Sequence, residues 1–453
     1  METSRLNTGY LFSRYKGIEM QREKILRIIL VSFIVLFIAW VSFFDQSLQL
    51  RYKNITLISL CLFFSLAFLY RKGIRFSEAD IALFIYLFAV SLSVIFSEQR
   101  SVALEWYRIY ILPIPLIYLI FRNIGRSFIL PIAKGIFIAS TIVALFGILE
   151  IIFHKNIIYE SWIENAYYDR FNIYQIRGIT STLMHPTIFG SYLLGCLPFA
   201  FFLIPETKGY RRGLIILCIL IMLTGVILSC SRGNLAALAG LSICYLFLIK
   251  KRRYIKYILI CPIVLVIAIT TFDQNYRDYK NSQGIIMIQE MFYFNRYSLT
   301  SLVHPIWFLR KVDRSRRTFA ILKEYPLLGA GLNHFRLIFD RYNSPEQKER
   351  KKRRVGRGPE FKVPDNMYLS ILAETGGVGF LSFMLFLLLL FKRGLRRLKG
   401  IKDNKEKHFL ICCMSGVIAL LISMNTYDLL YWINPFLLFW FLIGLISSAV
   451  TIK

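Results

Sequence analysis

The chain has 453 residues, 56% hydrophobic and 16% aromatic, with a mean hydropathy of +0.54, a balance that excludes a soluble globular domain. Its net charge of +29 would suit a nucleic-acid binder, but most of the excess follows membrane topology, which excludes nucleic acid as the expected partner. The eight cysteines, at 61, 196, 218, 230, 244, 261, 412 and 413, lie in or beside apolar runs; they lack metal-ligand spacing, so neither disulfides nor a zinc site is expected.

Apolar runs long enough to cross a bilayer recur along the chain. About twelve spans are predicted, at 25–44, 54–70, 79–97, 102–121, 128–153, 184–205, 213–229, 234–249, 255–272, 366–391, 408–425 and 432–450. The first is too long for a signal-peptide core and reads as an uncleaved anchor. Lys and Arg crowd the connections on one side of this arrangement and thin out in the short loops on the other. The positive-inside rule then puts both termini in the cytoplasm. The expected fold is an all-α polytopic membrane protein with one long extracytoplasmic loop containing short helices. Residues 1–272 hold nine spans, 273–365 form the loop, and 366–453 hold the last three.

Residues 1–153 carry no strong chemical motif. Glu105 and Arg108 stand three apart inside the fourth span, where a snorkelling or paired helix-end charge is expected. The outer loop 154–183 is rich in Tyr, Trp and Asn, which suit sugar stacking and, equally, an interfacial aromatic belt. It closes on Arg177, a candidate anion contact, and on His185-Pro186, where a capping histidine is expected. The seventh and eighth spans are joined only by Leu228-Ser-Cys-Ser-Arg-Gly-Asn234. Gly233 would permit the reversal and Asn234 would cap the next helix. Arg232, beside free backbone N–H groups, would suit a diphosphate or simply snorkel.

In the long loop, Arg310, Arg314 and Arg317 recur on one face of a helix predicted to run to Tyr325, before the turn Pro326-Leu-Leu-Gly-Ala-Gly331. They would hold an anion or form a solvated charged face. The run Lys348-Glu-Arg-Lys-Lys-Arg-Arg354 reads as a basic tether or lipid-headgroup contact. The loop then meets the tenth span at Pro364-Asp365-Asn366, a helix start. Asp365 is either the cap of that helix or a catalytic base. Glu374, nine residues on, would lie about 14 Å deeper, where a carboxylate suggests function. The sequence contains no P-loop, GxGxxG, HExxH or Asp-x-Asp motif, so no cofactor or metal is expected.

Three stretches together resemble the bacterial O-antigen ligase and O-antigen polymerase family. They are Thr224-Gly-Val-Ile-Leu-Ser-Cys-Ser-Arg-Gly233; the arginine cluster with Pro326-Leu-Leu-Gly-Ala-Gly-Leu-Asn-His-Phe335; and Asp365-Asn366 followed nine residues later by Gly376-Gly-Val-Gly379. The last is similar to the ligase pattern His-Asn-x9-Gly-x-x-Gly, with Asp365 in place of the histidine. The resemblance implies a C-type glycosyltransferase of the inner membrane, multi-pass and with its active site on the periplasmic face. A glycan would move from undecaprenyl diphosphate to a sugar hydroxyl, on lipid A-core for a ligase or on a growing glycan for a polymerase. It implies Asp365 as base and Arg232 with Arg314 or Arg317 on the diphosphate. Arg177, Arg310, Asn366 and Glu374 would support substrate binding, in a monomer surrounded by membrane lipids. Gly376 and Gly379 would allow close helix packing. A lipid-linked glycan flippase is the rival from another class, but internal repeats expected of a transporter are not evident.

Overall fold

A computed structural model describes residues 28–43, 77–153, 179–229, 231–251, 305–343 and 363–451. Among them every regular element is helical and no strand occurs. In chain order these are α1 (Ile28–Phe43), α2 (Glu78–Ile95), α3 (Arg100–Arg122), α4 (Ile129–Ile152), α5 (Pro186–Leu203), α6 (Tyr210–Leu228) and α7 (Arg232–Leu248). Next come α8 (Pro305–Glu324) and a single turn, α9 (Phe335–Ile338), both within the stretch expected as a loop; α10 (Met367–Gly400), α11 (Asn404–Ser423) and α12 (Ile433–Thr451) follow. Seven of these, α2 to α6, α10 and α11, are long and apolar enough to cross a membrane. The spans expected at 54–70 and 255–272, with Arg177 and the basic run 348–354, lie outside the described residues.

The helices begin where polar side chains can satisfy free N–H groups. Ser77 and Asp80 form a reciprocal capping box on α2, Ser231 caps α7, and Asp403 caps α11. Apolar residues cover these helices on nearly all sides, as expected of spans that face lipid outside and one another inside. Phe88, Leu217 and Leu388 point outward, whereas α5 is 83% buried. α5 packs against α4, α6, α7, α11 and α12, while α10 lies along α2 and α12 along α3. The fourth predicted span is interrupted by a π-turn, Tyr107–Ile111, which contains Arg108.

α10 is broken one-third of the way along. Gly376 has φ +66° and ψ −170°, outside helical geometry. Into this break docks the turn Pro326–Gly331: Ala330 and Gly331 N–H donate to the carbonyls of Ala373 and Glu374, both at 3.0 Å. Gly377 and Val378 N–H donate in return to the carbonyls of Pro326 and Leu327, at 2.9 and 3.1 Å. Ser93 of α2 adds its hydroxyl to the Glu374 carbonyl at 2.6 Å. Backbone opened inside a span must find internal partners, and the turn supplies them. Gly329 also has a positive φ, +69°. A Cβ on Gly329 or on Gly376 would collide with the other segment's backbone. Gly379 makes its close approach to Thr375 of its own helix instead.

The connections form two sets. At one end Asp80 pairs with Arg122 at 3.0 Å, Glu406 with Arg126 and Arg397 at 3.0 and 3.2 Å, and Lys405 with Glu206 at 2.6 Å. At the other, the loop segment 325–343 clasps the α2–α3 turn. Arg341 grips Glu98 through both terminal nitrogens at 3.1 and 2.9 Å, and Tyr325 donates to the same carboxylate. These partners hold the Glu98 carboxyl below the usual carboxylate range, with the Arg341 hydrogen bond the largest cause. Buried His334 accepts the Gln99 N–H on Nε2 at 3.1 Å, which assigns its Nδ1 proton to the Leu332 carbonyl at 3.0 Å.

Candidate active site

The start of α10 gives the capping role to Asp365's neighbour. The cap is Asn366, whose side-chain oxygen accepts from Tyr368 and Leu369 N–H at 3.0 and 3.3 Å. Asp365 stands one residue outside the helix in the left-handed region, φ +51°, a conformation that Asp and Asn tolerate better than most residues. Its carboxylate forms an ion pair with Arg314 of α8. Both groups keep solvent access, at 17% exposure for Arg314 and 33% for Asp365. The loop helix thus delivers one arginine of the predicted cluster to the predicted carboxylate.

The cluster divides. Arg317 is 5% exposed and its guanidinium lies 4.0 Å over the ring of Phe339, a cation–π contact that ties α8 to the turn after α9. Arg310 lies on the same helix, at Pro305–Glu324. Arg232 is the first residue of α7. Ser231, not Asn234, caps that helix: its hydroxyl accepts the Asn234 N–H at 3.4 Å. Asn234 is buried, accepts from Ser191 at 2.8 Å and donates to the Thr187 carbonyl at 3.1 Å. Gly233 has no positive φ. Its smallness serves an approach by Thr426, whose side chain would collide with a Cβ there.

The α11–α12 connection, Met424–Trp432, gathers these pieces and drew no attention in the sequence. Asp428, 4% exposed, accepts the Asp365 N–H at 2.8 Å and the Ser370 hydroxyl. It therefore grips the chain on both sides of the Asn366 cap. The Met367 N–H donates to the Met424 carbonyl at 2.8 Å, fixing the same junction from the backbone. Tyr431 donates its hydroxyl to the carboxylate of Glu374. Glu374 itself is buried, in the first third of α10. An aspartate between tyrosines in a short connection without Lys or Arg was the available signal.

Beside this junction a cavity of about 40 Å³ runs from Met367 past Ile371 to Glu374, walled by Trp106, Tyr110 and Tyr431. No group of three His, Cys, Asp or Glu side chains suited to a metal occurs among the described residues. Residues 217–384 match the family model described as O-antigen ligase.

Over this stretch the chain is similar to the O-antigen ligase family. The matched segment contains Arg232, Arg314, Asp365, Glu374 and the two docked glycine motifs, and it ends before Asp428 and Tyr431. No curated protein shows a match to the chain.

Proposed function

We propose that this protein is a glycosyltransferase that moves a glycan from undecaprenyl diphosphate to an acceptor sugar hydroxyl on lipid A-core, at the periplasmic face of the inner membrane. The observation that carries the reading is the solvent-accessible Arg314–Asp365 pair within the matched domain. Asp365 accepts the hydroxyl proton as the oxygen attacks the anomeric carbon. The bond from that carbon to the diphosphate oxygen breaks, and the lipid diphosphate leaves with the electron pair. Arg232 and Arg314 offset the charge that gathers on it, with Arg177 and Arg310 as further contacts. Because these arginines supply the positive charge, transfer needs no metal.

The resting ion pair fits this sequence of events. A carboxylate held in an ion pair is not free to take a proton. A diphosphate that draws Arg314 toward itself releases the Asp365 carboxylate when the acceptor is in place. Arg317, committed to Phe339, then holds the loop rather than the substrate.

Purified protein supplied with lipid-diphosphate glycan and lipid A-core tests the proposal. The expected product is core carrying the glycan, formed equally well with EDTA present. Lengthening of the lipid-linked glycan without core modification would assign polymerisation, the reading that a carboxylate in the ligases' histidine position keeps open. Transfer abolished by EDTA alone would overturn the arginine-based scheme.

A further inference from the structure

Three rings stand together at the same outer junction: His185 at the start of α5, and Tyr427 and Trp432 from the α11–α12 connection. The imidazole stacks on Tyr427 with centroids 4.6 Å apart and planes 27° apart. Trp432 lies 5.5 Å from His185 and 6.2 Å from Tyr427, at 43° and 36°. All three are half-buried. Rings that only fill a core would be covered, so this group keeps part of its surface open.

The polar atoms of the group are aligned for recognition. His185 Nδ1 accepts the Thr187 N–H at 3.2 Å, so in the neutral ring the proton sits on Nε2 and is available to an oxygen acceptor. Tyr427 and Trp432 flank Asp428, the residue that holds the Asp365 backbone at 2.8 Å. The rings and the candidate base therefore share one short support. A pyranose has an apolar C–H face that packs on an aromatic ring and hydroxyls at its edge that hydrogen-bond.

We propose that His185, Tyr427 and Trp432 form a sugar-ring platform that seats one glycan residue beside Asp365. The platform rests on the glycosyltransferase reading for calling that glycan a substrate. The ring could belong to the donor glycan or to the acceptor, and kinetics distinguish them.

Steady-state transfer by the full-length protein, with donor and acceptor varied separately, provides the test. His185→Asn removes a ring but leaves a strong N-cap side chain. Tyr427→Leu removes the ring stacked on it, and Tyr427→Phe restores it. The leucine and asparagine variants should raise KM for one of the two substrates about tenfold, the scale of one lost stacking contact, with kcat and thermal midpoint near wild type. Tyr427→Phe should keep the wild-type KM. Wild-type KM for both substrates in His185→Asn and Tyr427→Leu would overturn the platform.

If the wild-type protein transfers nothing, the enzymatic reading fails first, and calorimetric titration still decides the platform. The probes are core oligosaccharide released from lipopolysaccharide and donor glycan released from its lipid by mild acid. Binding of one of them, lost in His185→Asn, supports the platform. Binding of neither by wild type, or binding unchanged in the variant, overturns it.

Discussion

The two ends of the helical bundle both carry carboxylate–arginine pairs, and they use them differently. At one end Asp80 and Arg122 are 1% and 2% exposed, with Tyr118 donating to the same carboxylate and Ser77 completing a helix cap. Glu406 is equally enclosed between Arg126 and Arg397. These partners belong to helices or their flanking turns, so the pairs fasten helix ends. At the other end Arg314 comes from the long loop, Asp365 sits in left-handed backbone outside its helix, and both reach solvent. Residue types alone do not separate a fastening from a reactive pair. Enclosure marks the first pairs as fastenings, but the Arg341–Glu98 clasp is loop-borne and exposed too, so the proposed reactivity of Arg314–Asp365 rests on its place in the left-handed junction before α10.

Removing one member of the enclosed pair gives the largest expected effect. Asp80→Ala leaves Arg122 buried without its counter-charge and should cost about 3–5 kcal/mol of stability. The measurement is the loss of folded protein in detergent on heating, with transfer per folded molecule unchanged; a normal midpoint would break the contrast. Arg232→Lys comes next. It keeps the charge but loses the bidentate fork, and should reduce transfer by roughly 2.7–4 kcal/mol of transition-state stabilisation, by analogy with a lost oxyanion donor. Wild-type rates in the reconstituted assay would remove Arg232 from the site.

Asn366→Ala sharpens the boundary between cap and catalyst. It should lower stability by about 1 kcal/mol, and Asn366→Ser should restore both stability and transfer. A stable but inactive Asn366→Ser would instead put this side chain on the substrate. The smallest effect belongs to Glu98→Gln on the exposed clasp with Arg341, since surface pairs contribute little. Because the Glu98 pKa is lowered in the folded protein, any contribution is present at neutral pH and fades as the pH falls through that carboxyl's titration. The thermal midpoints of wild type and Glu98→Gln should therefore nearly coincide at pH 7 and stay together on acidification.

The helices were legible because lipid demands long apolar runs and capped ends. α10 outruns its predicted end at 391 because the basic stretch Lys392–Lys399 continues helical to Gly400. Arg314 and Asp365 were each legible as candidates, since spacing marks a helix face and position marks a helix start. Their pairing was not, because nothing local ties residue 314 to residue 365. The docking of Pro326–Gly331 into the Gly376 break was hidden for a similar reason: it is made by backbone hydrogen bonds, which leave only glycines as a trace. Ser231-Arg-Gly-Asn234 offered two capping side chains, and tertiary packing chose the serine by burying Asn234 against α5. Asp428 stayed out of view because its contacts with the Asp365 N–H and the Ser370 hydroxyl do not advertise themselves by charge.

The most direct test of the contrast is Asp365→Asn, with transfer rate and thermal midpoint read on the same preparation. Asn tolerates the left-handed conformation, and Asn366 keeps the cap, so the midpoint should stay close to wild type. Transfer should fall by two orders of magnitude or more, the usual scale of general-base catalysis. Asp365→His should regain part of it, with the acid limb at higher pH because histidine titrates near 6.5 and aspartate near 3.9. A stable Asp365→Asn protein that transfers glycan at the wild-type rate would contradict the assignment of the base.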